Sequence, residues 1–279
     1  MRTRPPAVSG SFYPSEPDLL ASQVRAWTEG SLPRRRSLGA IVPHAGYMYS
    51  GEVAGAVFSR LAPFRRVIIL GPNHTGRGAG ASLDAHDAWR TPLGAVPVDR
   101  DLGDRLMSAC PSLVRESAAH AREHSIEVEL PFLQAANPET TIVPISIGEP
   151  SLALCAEIGE ACAAILQQEP QDPPLLLASS DMNHYESRET GNAKNALAYR
   201  AIERIDPEGL FAAVVAHEIS MCGFLPSTAL LFAARRRGVF RAEVIARADS
   251  GDRTGDTSSV VGYAGILVGE DPANPAAVA

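Results

Sequence analysis

Three stretches of the sequence set histidine or acid directly after a short apolar run. Ala40-Ile-Val42 leads into Pro43-His44-Ala45-Gly46-Tyr47. Val67-Ile-Ile-Leu70 leads into Gly71-Pro72-Asn73-His74, and Leu175-Leu-Leu-Ala178 into Ser179-Ser180-Asp181-Met182-Asn183-His184. Short apolar runs bounded by turn residues read as buried strands. In an open α/β sheet, ligands bind beyond the carboxyl ends of the strands. If these strands are parallel neighbours, His44, His74, Asp181 and His184 converge on one edge. Imidazoles and a carboxylate gathered there form a ligand set for a transition metal. A lone loop histidine is more often a hydrogen-bonding or surface residue. The repetition after three strands carries the metal reading.

Two further stretches carry chemistry. Cys222 lies in Met221-Cys222-Gly223-Phe224-Leu225-Pro226, a constrained turn between two predicted helices. A thiolate there is a strong ligand for iron, zinc or Cu(I). By contrast, Cys155 and Cys162 sit in an apolar helical run and read as core, and Cys110 closes a helix. In Glu123-His124-Ser125-Ile126-Glu127-Val128-Glu129-Leu130, His124 and Glu127 share a face at i,i+3 of a predicted helix. A neutral histidine at a helix start is suited to act as acid or base. Glu123 and Glu129 read as solvated helix charges, and so, with less force, does Glu127.

The elements that must position these residues alternate along the chain. Strands are expected at 38–42, 67–70, 141–147, 175–178, 242–246 and 260–268. Helices are expected at 16–29, 51–62, 99–109, 124–136, 151–168, 188–204, 207–218 and 227–237. Several strand runs are continuously apolar, as in a sheet covered on both faces. The alternation predicts an α/β fold: one domain over 1–279, a central mostly parallel or mixed sheet flanked by helices, and a loose tail at 270–279. The acidic turn from Asp249 to Asp256 lacks the positions of a calcium loop and is expected to join two strands.

Composition narrows the function. The chain has 279 residues, 45% of them hydrophobic, and a net charge of −7. That charge argues against a general role on nucleic acid or an anionic membrane surface. The basic clusters at 34–36 and 235–237 sit beside predicted element boundaries and read as solvated surface. Lys194 is the only lysine, which excludes a Walker A loop. Gly76–Ala81 fits a dinucleotide fingerprint by letter but opens no helix after a strand. No apolar run of 18 residues and no apolar leader stand in the sequence, so a soluble cytoplasmic protein with reduced thiols is expected.

With these residues in hand, the sequence resembles the MEMO family, also called the Memo-like or AmmeMemoRadiSam system protein B family. The matching pieces are Arg4–Pro14, Pro43–Tyr47, Leu70–His74, Glu123–Glu127 with Leu130-Pro131, Ser179–Asp181 with His184, Cys222-Gly223 and Ser258–Tyr263. They run in order over nearly the whole chain. The resemblance implies the fold of class III extradiol (LigB-type) dioxygenases. It also implies a metal site of two histidines and a cysteine, here His44, His74 and Cys222, with Asp181 and His184 in the pocket. His124 matches, more loosely, the acid/base histidine of those dioxygenases. Their metal site is completed by glutamate, whereas Cys222 takes that place here, so catechol ring opening is not simply inherited.

The expectation is therefore a mononuclear oxidoreductase acting with O2 on a small molecule, with catalytic His124, His184 and Asp181. Ferrous iron is the first expectation for the metal, with copper and zinc as alternatives. The competing functions are a copper- or iron-binding redox protein without a substrate, a hydrolytic zinc enzyme, and a peptide-recognition module with a vestigial pocket. The resemblance further implies a radical-SAM enzyme and an AMMECR1-like protein as partners.

Overall fold

The computed structural model describes residues 2–30 and 33–269. From the amino end come β1 (Thr3–Arg4), α1 (Pro17–Thr28), β2 (Ser37–Val42), α2 (Tyr47–Phe58) and β3 (Arg66–Pro72). Then follow β4 (Ala81–Asp84), β5 (Ala88–Thr91), β6 (Gly94–Pro97), α3 (Arg100–Ala109) and β7 (Val114–Glu116). A 3-10 turn at Glu127–Glu129 leads into α4 (Leu130–Ala136). The rest comprises β8 (Thr141–Ile147), α5 (Leu152–Gln168), β9 (Leu175–Ser179), β10 (His184–Glu186), α6 (Arg188–Glu203) and α7 (Pro207–Ala216). Last come α8 (Phe224–Arg236), β11 (Ala242–Asp249), α9 (Gly251–Thr254) and β12 (Val260–Gly269).

The main sheet runs in the order β10-β12-β2-β9-β3-β8-β4-β7, with β11 paired to β12. Its centre, β2-β9-β3-β8, is parallel. The flanks add antiparallel pairs, β12 on β2 and β4 on β8, so the sheet is mixed. β1, β5 and β6 form a small separate sheet. The central strands are apolar apart from their ends and Ser146, because both faces are covered. Ile41, Ile68, Leu70, Val143 and Leu176 face one core with α3, α5 and α8, while Val42, Val67, Ile69 and Leu177 face another with α1, α2 and α4. Cys155 and Cys162 lie buried in the first of these cores.

The α/β fold and all six expected strands are present, some extended by a few residues. The short strands β1, β4 to β7 and β10 lack an apolar run long enough to read. Helix 124–136 is corrected: residues 124–126 form a turn, and α4 begins only at Leu130. Pro131 is the reason, since proline sits at the first turn of a helix and breaks an interior. His124 and Glu127 therefore do not share a helix face. Helix α2 begins four residues earlier than expected, at Tyr47, and its Gly51 and Gly55 press on Trp27. Gly76–Ala81 runs into β4 and not a helix, as expected. The acidic turn joins the antiparallel pair β11 and β12, and Arg188 pairs with Asp249 and Asp252 within it. The tail at 270–279 lies outside the described residues. Among the described residues, no helix is long and apolar enough to cross a membrane.

Candidate metal centre

β2, β9 and β3 lie side by side and parallel, so their carboxyl ends deliver His44, Asp181 and His74 to one edge. His44 follows β2 and is 1% exposed. Its backbone N–H donates to Asp181 Oδ1 at 2.8 Å, which ties the end of β2 to the end of β9. Its ring is held separately, by Nδ1 against Ser179 Oγ at 2.7 Å. That leaves Nε2 directed elsewhere, and Cys222 Sγ lies 3.2 Å from it.

Cys222 reaches this point because Gly223 caps α8 hard against the end of β9. A Cβ on Gly223 would meet the Ser179 carbonyl oxygen at 2.2 Å, so only glycine permits the approach. The Gly223 N–H donates to Ser180 Oγ at 3.1 Å and fixes the turn.

The third wall is built around Glu123. This carboxylate is fully buried, and it accepts from the His74 backbone N–H at 2.6 Å and from the amides of His124 and Ser125 at 2.9 and 3.0 Å. It also meets His74 Nδ1 at 2.8 Å. Burial alone would raise its pKa. The hydrogen bonds from His74 and Ser125, with the nearby His74 and His124, outweigh that and hold it at about 2. Glu123 is therefore a charged second partner of His74, in the manner that orients metal-bound imidazoles and raises their basicity. His124 stacks on His74 with ring centroids 4.7 Å apart and packs against Phe12.

Two groups of ligand atoms result, each within 4.8 Å. One is His44, His74 and His124; the other is His44, Asp181 and Cys222. His44 belongs to both; His74 and Cys222 share neither group, so the expected trio His44, His74 and Cys222 is joined through His44. Burial, then the charges of His124, His74 and His184, lower the pKa of His44, and burial lowers those of His124 and His184. Burial, with Asp181 adding, raises the Cys222 thiol well above its ordinary value, and burial pushes Asp181 up to about 7. Without a cation, His44, His124 and the Cys222 thiol therefore favour their neutral forms. Imidazoles engaged through Nδ1, as His44 and His74 are, together with a thiol and a carboxyl fit a borderline or soft transition metal.

His184 stands apart from both groups. Its Nδ1 meets the Ser220 carbonyl at 2.8 Å and its backbone N–H donates to Ser220 Oγ. Next to it, a bulge in β10 turns out Tyr185, which has a φ of 60° and is 78% exposed. A bulky residue at positive φ is a strained position of the kind found at functional sites.

The glutamates correct the sequence reading. Glu123, Glu127 and Glu129 are all 0% exposed, not solvated. Glu127 accepts from Arg4, Ala7, Val8 and Tyr13, and fastens the amino-terminal segment under the site. Ser125 and Ser179, which sequence reasoning left without roles, hold the histidine surroundings together. Their only signal in the sequence is proximity, Ser125 next to His124 and Ser179 two residues before Asp181.

Comparison with known proteins places the chain. A family model described as Memo-like protein matches residues 4–267. A "MEMO1 family protein" of Aeropyrum pernix is 40% identical over 283 residues, covering 96% of this chain and 100% of the relative. Its counterparts in Pyrobaculum arsenaticum and Aquifex aeolicus are 38% and 37% identical, each covering 96% of this chain and 99% of the relative. Among solved structures, an uncharacterized protein from Escherichia coli K12 aligns with a TM-score of 0.53 at 14% identity, over 88% of this chain and 92% of that one. At that identity the likeness concerns the fold alone.

Proposed function

Since the chain belongs to the Memo-like protein family, we propose that it holds one transition-metal ion, iron first, through His44, His74 and Cys222, and uses it in O2-dependent oxidation of a small molecule. The observation that carries this reading is the 3.2 Å approach of Cys222 Sγ to His44 Nε2, beside His74 and His124. A thiol and an imidazole this close form a neutral pair, because burial raises one pKa and lowers the other. That pair is not an activated cysteine nucleophile, but a cation would displace the thiol proton and use both groups as ligands.

Bound there, iron would supply one-electron chemistry and open coordination positions for O2 and substrate. The chain's own residues do the rest. Glu123 holds His74 in place and strengthens it as a donor. Asp181 fixes the backbone at His44. His124 is neutral and partly exposed, so it can take a proton from a substrate hydroxyl brought to the same edge. His44 is buried while His74 is 32% exposed, so substrate enters from the side of His74 and His124.

A second reading, copper binding without turnover, draws on the same thiol, since thiolate with imidazole suits Cu(I). Metal analysis of protein purified without oxygen separates the two. About one iron per chain, lost in His44→Ala and Cys222→Ala, with oxygen uptake on a phenolic screen, supports the oxidase reading. Stoichiometric copper without uptake supports the second. Folded protein that takes up no metal under anaerobic loading overturns both.

A further inference from the structure

Glu129 is a buried acid that the proposed chemistry does not use. It is 0% exposed, its Oε2 has no hydrogen-bond partner among the described residues, and its Oε1 lies 3.1 Å from Ser179 Oγ. Ser179 Oγ has two other neighbours, the Ser125 carbonyl oxygen at 2.7 Å and His44 Nδ1 at 2.7 Å. A hydroxyl has one hydrogen and two lone pairs, and a carbonyl oxygen only accepts. The hydroxyl hydrogen therefore goes to Ser125. Both remaining neighbours must then donate to Oγ, which puts one proton on Glu129 Oε1 and one on His44 Nδ1.

We propose that Glu129 is a positioning residue, a neutral carboxylic acid that donates to Ser179 Oγ and so holds His44 with its proton on Nδ1 and its lone pair on Nε2. The opposite arrangement, an ionised Glu129 drawing the serine hydrogen, leaves the Ser125 carbonyl without that donor. It also buries a charge with one oxygen unpartnered. Burial raises the pKa of Glu129 well above its usual range, against the Ser179 contact and with the nearby Asp181 acting in the same sense as burial, in keeping with the hydrogen count.

The two buried histidine supports thus differ. His74 is backed by the ionised Glu123, His44 by a hydroxyl and a neutral acid. A carboxylate strengthens an imidazole as a donor, so His44 is the weaker donor of the two and Cys222 supplies the charge beside it. This consequence rests on the proposed metal centre. The proton assignment does not.

The test begins with metal-free protein. An infrared difference spectrum, unaltered protein minus Glu129→Gln, should show the carbonyl band of a protonated carboxyl at neutral pH, and 15N NMR should find His44 protonated on Nδ1. Carboxylate bands at neutral pH, or His44 protonated on Nε2, overturn the proposal. Co(II) is then titrated, with its thiolate charge-transfer band reporting Cys222. Glu129→Gln, which can donate through its amide, should keep the affinity and band of the unaltered protein. Glu129→Leu, folded as judged by its melting curve, should lose about tenfold in affinity, and Ser179→Ala about 10–100-fold. A Glu129→Leu protein that binds like the unaltered one overturns the positioning role. If Glu129→Leu does not fold, the infrared, NMR and Gln results decide. Unaltered protein that binds no Co(II) sinks the metal centre, while the infrared and NMR measurements still decide the proton on Glu129.

Discussion

Removing the Glu127 carboxylate should destabilise the protein far more than breaking a surface ion pair. Arg4 and Glu127, 123 residues apart in sequence, meet at 2.6 Å with both side chains 0% exposed. Glu127 also accepts from Tyr13 at 2.6 Å and from the amides of Ala7 and Val8 at 2.7 and 3.0 Å. Arg4 lies over the Trp89 ring and donates to the carbonyls of His120 and Glu123. Glu127→Ala leaves this guanidinium buried without its anion. Breaking a buried pair in this way costs about 3–5 kcal/mol, and the three other donors left without an acceptor place the cost in the upper half of that range. Against a total stability of roughly 5–15 kcal/mol, that is a large share. Urea unfolding of Glu127→Ala, Arg4→Met and the double variant gives the magnitude and the coupling. The double variant should cost less than the sum of the singles by roughly 2 kcal/mol, because neither charge is then left alone. A loss below about 1 kcal/mol for Glu127→Ala, the range of an exposed pair, would refute the reasoning. So would singles that simply add. Since Arg4 holds the carbonyl of Glu123, Arg4→Met should also weaken Co(II) binding at the site.

Other outcomes follow from the same geometry. Glu123→Gln keeps the shape behind His74 but removes its charge, so Co(II) affinity should drop about 10–100-fold by titration. Gly223→Ala forces a Cβ to within 2.2 Å of the Ser179 carbonyl oxygen, costing about 1–3 kcal/mol or more in urea unfolding and moving Cys222 out of place, with loss of the Co(II) thiolate band. Gly71→Ala, whose Cβ would lie 2.7 Å from Ile126 Cγ1 and Ser125 Oγ, should cost about 1–3 kcal/mol with a smaller effect on that band. His120, buried and with Nδ1 unpartnered among the described residues, has its pKa lowered mainly by burial. The unfolded chain then binds more protons below about pH 6.5, so stability is complete above that value and falls as the pH drops through it toward the folded pKa. His120→Phe should reduce the slope of stability against pH there by up to about 1.4 kcal/mol per unit, measured by unfolding between pH 5 and 7.

The strand ends were legible in the sequence because β2, β3 and β9 are covered on both faces. Such strands are uninterrupted apolar runs, and the first polar residues after them fall where ligands bind. The glutamates were not legible. A helical reading drawn through Pro131 gave Glu123, Glu127 and Glu129 a solvent face that does not exist. What allows each to be buried lies elsewhere in the chain: Arg4 and Tyr13 for Glu127, the amides and ring around His74 for Glu123, Ser179 for Glu129. A one-dimensional pattern reports the cost of burying an acid but not the distant donors that offset it.

Cys222 shows the same limit from the other side. Gly223 and Pro226 marked a constrained turn, yet nothing local says that the turn rests on the end of β9. That contact makes the thiol part of the site. It depends on the parallel order β2-β9-β3, which sets Ser179 and Asp181 between the two histidine-bearing strands. The ligand types were therefore readable from the ends of the strands. How each ligand is held and charged depends on which strand is in the middle, and that is a property of the sheet rather than of any one segment.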